Sequence, residues 1–136
     1  MLDVDKVFGF DQTMATEGVK MVLDAAGSQY FLVRRIPNPD YERQLSKEFR
    51  RNKKVLDLET EDSEKLSQKL MAEVLARTVL IGWEGISLKG KKMSFSVEHA
   101  TQLLIAYPSL RSAILEFAQD TKNFRPADEV AEVKKS

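Results

Sequence analysis

The chain has 136 residues, 43% hydrophobic and 31% charged, with 21 basic and 21 acidic side chains and no cysteine. That length can bury one core without staples, and the balanced charge gives no net field toward nucleic acid or membrane. Without thiols there are no disulfides, thiolate metal sites or cysteine nucleophiles, which suits a reducing compartment.

Residues 1–18 mix acids with apolar side chains, show little periodicity and carry Gly9 and Gly18; they are expected to form a loosely held arm. Acids stand where a secretory signal would be basic, and no segment approaches the roughly 20 apolar residues of a membrane helix. A cytoplasmic protein is expected. Two apolar runs follow, Val19 to Leu23 and Tyr30 to Val33, separated by Asp24-Ala25-Ala26-Gly27-Ser28. The second is β-branched and aromatic and the separator holds a glycine, so a β-hairpin is predicted. A short helix through Leu23–Ala26, stopped by Gly27, is the rival reading.

Pro37-Asn38-Pro39 forbids both helix and central strand. Asn38 or Asp40 can then cap a helix running to about Leu56. Five acids lie between Asp57 and Glu64, which predicts an exposed linker ending in a cap at Asp62 or Ser63. A second helix is predicted from about Glu64 to Ile81, stopped by Gly82. Its second half is apolar nearly all round, as in a central helix. Residues 86–95 bracket Lys89-Gly90-Lys91, a candidate tiny hairpin. Ser96 caps a third predicted helix that Pro108 ends, and Ser109 caps a fourth, with Leu110, Ile114, Phe117 and Phe124 on its buried face. The expected fold is mainly α, a bundle of about four helices with a minor amino-terminal β-hairpin. It places one domain over residues 19–125 and a flexible tail over 126–136. The predicted core comprises Leu70, Val74, Leu75, Val79, Leu103, Leu104, Ile114 and Phe117.

Chemistry is sparsely provided for. His99 is the only histidine and has no second ligand at metal-binding spacing. The acidic run lacks calcium-loop spacing, and no phosphate-binding loop or nucleophile elbow occurs. No enzyme, cofactor or metal is therefore expected. One pattern exceeds composition: Arg43, Lys47, Arg50, Arg51 and Lys54 fall at i, i+4, i+7, i+8 and i+11, on one helical face opposite Tyr41, Leu45, Phe49 and Leu56. Like charges four apart cost roughly 0.2–0.5 kcal/mol per pair. The stripe is either a surface for an acidic partner or a plain solvated face. Nucleic acid is disfavoured because no aromatic residues interleave the cations for stacking. Trp83, the only tryptophan, is either a core plug or a partner-facing anchor.

Several words of the chain carry a resemblance. They are Ala76, Thr78 to Ile86 (TVLIGWEGI), Gly90-Lys91, Phe95-Ser96, Leu103-Leu104, Pro108-Ser109-Leu110, Ile114 and Asn123-Phe124. Upstream stand Glu17-Gly18-Val19, Phe31, Val33, Arg35 and Asn38-Pro39-Asp40-Tyr41. In this order, over residues 17–124, the chain resembles the tail assembly chaperones of long, non-contractile-tailed bacteriophages. The resemblance implies a non-enzymatic morphogenesis factor that binds and solubilises the tape-measure protein and helps recruit the major tail protein. It further implies a homo-oligomer in the host cytoplasm, absent from the mature virion. A longer form made by ribosomal frameshifting belongs to the same implication, with Lys134-Lys135 as the candidate slippery site. It carries over no catalytic or contact residue. A holdase for amphipathic helices needs apolar surface and a charged exterior, and self-association adds avidity along a long client. A structural virion component, such as a head–tail connector or minor tail protein, would have similar size and helicity. A nucleic-acid-binding regulator using the stripe is the more distant alternative.

Overall fold

The computed structural model describes residues 1–126; the tail expected over 126–136, with the Lys134-Lys135 pair, lies almost wholly outside the described residues. Two antiparallel strands, β1 (Val19–Val22) and β2 (Tyr30–Val33), form the predicted hairpin. Its turn is built by Asp24, whose carboxylate accepts from Ser28 Oγ (2.5 Å) and from the Gln29 N–H (3.0 Å). Gly27 there takes a positive φ of 74°, which costs glycine nothing.

Asn38 begins the next helix. Its side-chain oxygen accepts from the Tyr41 N–H at 2.8 Å and Pro39 follows in the first turn, where a missing N–H is harmless. Asn38 Nδ2 also donates to the Arg35 and Thr78 carbonyls at 2.9 and 3.3 Å. One side chain thus joins the start of this helix to the end of another. The helix expected to reach Leu56 is broken at Asn52 into α1 (Pro39–Arg51) and α2 (Lys53–Leu56), with Asn52 Nδ2 turned back to the Glu48 carbonyl at 2.7 Å. The long helix α3 (Glu61–Thr78) is capped by Thr60 in a reciprocal box with Ser63. Half of the expected acidic linker is therefore helix, since Glu61, Asp62 and Glu64 occupy its first turn, where they favour the dipole.

The mainly α expectation is overturned where this helix ends. Val79 to Ile81 is expected from sequence to prolong the helix, with Gly82 as its stop. The helix instead ends at Thr78, and Leu80–Glu84 is a strand, β3, antiparallel to β2 in a sheet of order β1-β2-β3. β-branched Val79 and Ile81 are at ease in extended backbone, and pairing with β2 satisfies the polar main chain of a buried segment. Met21, Phe31 and Trp83 stand in register across the three strands. Gly85 does the stopping: at φ 68° an added Cβ would lie 2.9 Å from the Ser28 carbonyl oxygen. A second small sheet pairs β4 (Ser87–Leu88) with β5 (Lys91–Lys92) around Lys89-Gly90. The fold is mixed α+β, with two antiparallel sheets among the helices.

Ser96 caps α4 (Val97–Ala106), accepting from the His99 N–H at 3.0 Å. Pro108 opens α5 (Pro108–Gln119) rather than merely closing its predecessor, and no side chain caps that helix, so Ser109 is not its cap. A short 3-10 helix, Thr121–Phe124, closes the described domain. Helix α3 lies at the centre, with α1 and α2 on one side, α4 on another and β3 continuing from its end. The core holds Val33, Ala72, Leu75, Val79, Leu80, Leu104 and Ile114, each with essentially no exposure. Of the predicted core, Phe117 alone is only partly buried, packing its edge near Phe124.

Candidate interaction surfaces

The five cations of the stripe are all exposed, on α1 and α2. The helical period brings Arg43, Lys47, Arg50 and Arg51 round one shallow concavity. The break at Asn52 moves Lys54 into the adjoining one, which it shares with Arg50, Arg51 and Val55. Arg43 is held by Asp40 at 3.3 Å and Arg51 by Glu48 at 3.6 Å. The Arg43–Asp40 pair is largely open to water, where such a contact adds little, whereas Glu48 is the sheltered partner of an exposed Arg51. No residue of α1 is fully buried; Tyr41, Leu45 and Phe49 are half-covered, and Tyr41 reaches Met71.

Trp83 faces inward. It is 7% exposed, donates its indole N–H to the Met93 carbonyl at 2.7 Å, and stacks edge-on with Phe31 and Phe95 at 5.9 and 5.0 Å. It pins the β4–β5 hairpin to the sheet, and its ring is not on a surface a partner could reach. His99 is likewise occupied locally, with Nδ1 2.7 Å from the Ser94 carbonyl oxygen. Among the described residues no group of three or more His, Cys, Asp or Glu could hold a metal ion, and no helix is long and apolar enough to cross a membrane.

The exposed apolar side chains that sequence reasoning did not single out lie on the amino-terminal arm. Residues 1–18 contain two short helices: Val4–Phe8, capped by Asp3, and Gln12–Glu17, capped by Asp11. Leu2 (68% exposed), Val4, Val7 and Phe8 (62%) all face water. The i, i+3, i+4 spacing of Val4, Val7 and Phe8 was the available signal. The arm is nevertheless anchored. The guanidinium of Arg125, itself buried, donates to the Val7 and Gly9 carbonyls at the end of the first arm helix, where a cation complements the helix dipole. The Asp11 N–H donates to the Phe124 carbonyl at 2.7 Å, and Arg35 lies 3.8 Å over the Phe10 ring. Main-chain and cationic ties thus hold the arm while its aliphatic side chains stay free.

A family model described as YdaY prophage protein matches residues 36–135. The matched span runs from the Asn38 cap through α1–α5 of the body and leaves out the arm and the β1–β2 hairpin. No curated protein and no solved structure gives a match.

Proposed function

The chain belongs to the YdaY prophage protein family and is therefore phage-derived, and from that premise we propose that it is a non-enzymatic tail assembly chaperone. It keeps the tape-measure protein soluble and presents it to tail subunits in the host cytoplasm, without entering the finished particle. The observation that carries this reading is the anchored arm with its exposed Leu2, Val4, Val7 and Phe8. An apolar set of this kind on an otherwise charge-balanced chain is characteristic of a surface made to be covered. A long amphipathic helix supplies the complementary apolar stripe. Such an interaction is individually weak, because each fully covered Val, Leu or Phe contributes about 1.5–3 kcal/mol against the cost of association. Weak sites repeated along one client suit a factor that must later let go.

The test is co-expression with a tape-measure protein from the same prophage. Wild type should keep that protein in the soluble fraction, and Val4→Ser with Val7→Ser and Phe8→Ser should not, while retaining the wild-type circular dichroism spectrum. A client equally insoluble with and without the wild-type chain sinks the proposal. So does finding the chain in purified particles at fixed copy number, which would mark a connector or minor tail protein instead.

A further inference from the structure

The turn joining α2 to α3 carries three kinds of surface in succession. On one side are the cations of α1 and α2; at the tip Val55 and Leu58 are 42% and 66% exposed; on the other side lie the acids of residues 57–64. The chain ties some of these charges internally, through Lys53–Asp57 at 2.6 Å and Lys65–Glu61 at 3.8 Å. Lys47, Arg50 and Lys54 have no carboxylate within 4.0 Å among the described residues, and Glu59, Asp62 and Glu64 have no cation within that distance. Three free cations and three free acids therefore flank one exposed apolar pair.

We propose that this turn is a self-association surface, in which Arg50 and Lys54 of one copy face Glu59 and Glu64 of a second copy, with Val55 and Leu58 covered between them. Charge complementarity selects a second copy of this chain over other occupants. A purely anionic partner drawn to Arg50 and Lys54 would meet Glu59 and Glu64 a few residues away, and a purely cationic one would meet the reverse. Only a surface with both signs in the matching order satisfies both halves, and this chain has that surface. Association also relieves the like-charge repulsion along the stripe, and covering Val55 and Leu58 gives the contact an apolar centre inside a charged rim. The inference gives a surface to the self-association that the chaperone reading entails, and its test needs no client, so its failure and the failure of that reading are distinguishable.

Complementary charge reversal tests it. The basic-reversed variant is Arg50→Glu with Lys54→Glu; the acid-reversed variant is Glu59→Lys with Glu64→Lys. Sedimentation equilibrium at low salt should show wild type above its 15.5 kDa chain mass, and the association should weaken with added salt. Each variant alone should associate at least about tenfold more weakly, and an equimolar mixture of the two should regain wild-type association. Circular dichroism checks that both variants stay folded; if one does not, the reversals Lys47→Glu and Asp62→Lys replace it in the same scheme. A monomeric wild type at low salt overturns the proposal, as does undiminished association of both variants, or folded variants that fail to associate when mixed.

Discussion

Leu75 sits with no exposed surface between the sheet and the flanking helices, so removing its isobutyl group leaves a cavity its neighbours cannot fill. Leu75→Ala should cost about 2–5 kcal/mol in denaturant unfolding; a loss within error would mean the centre of the fold is elsewhere. A different kind of residue effect operates at Asp24. The Ser28 hydroxyl, and after it the Gln29 N–H, favour the ionised carboxylate and hold its pKa below the ordinary 3.8. A depressed folded value means the turn's contribution is complete above pH 3.8 and is lost as the pH falls through the folded pKa. A carboxyl titration followed by NMR should give a midpoint below 3.8 for Asp24, and Ser28→Ala should move it back toward that value. A wild-type midpoint at or above 3.8 would remove the hydrogen bonds from the account.

At the scale of elements, the helix ends and the anchored arm hold most of the information. Asn38, Thr60 and Ser96 each accept from the backbone N–H three residues on, and the sequence pattern pointed to two of those three caps. The exception is instructive. Asp62 and Ser63 looked like the start of the long helix because acids cluster there, yet the cap is Thr60, just upstream, in a box with Ser63. The strand β3 was illegible for a related reason. Val79-Leu80-Ile81 continues the apolar run of α3, and a short apolar run does not distinguish helix from buried strand. Its partner β2 lies some fifty residues upstream, so only tertiary pairing decides between them. The ties of the arm were hidden for another reason, because their partners, Arg125, Phe124 and Arg35, are remote from it in sequence. Arg125→Ala should raise amide exchange in the arm helix Val4–Phe8 while α3 and α4 keep their protection, since two carbonyl contacts are lost. Equal exchange in the arm of wild type and variant would show that Asp11 and Phe10 suffice to hold it.

For the whole molecule, the sequence disclosed the centre better than the surface. The all-round apolarity of Val74-Leu75-Ala76 placed the central helix correctly, because burial leaves a periodic trace. The exposed features leave weaker traces. Trp83 can be read either way from sequence, and its N–H on Met93 decides the matter; Val4, Val7 and Phe8 keep helical spacing, but over a single turn and among acids, which makes a weak signal. The basic stripe was legible from spacing alone, whereas its relation to the acids required the turn that brings residues 50–64 together. Together these surfaces describe a chain with a settled interior and two unsatisfied regions on its exterior, one apolar and one dipolar.

The clamp between Arg125 and Val7 spans 118 positions of sequence, and that separation has a temporal meaning. The arm is synthesised well over a hundred residues before the side chain that clamps it. At about 5–20 residues per second, the arm spends roughly 6–24 s without this clamp on every nascent chain. During that interval it is free to meet whatever is being made on neighbouring messages, so capture of a partner can precede completion of the fold that later presents it.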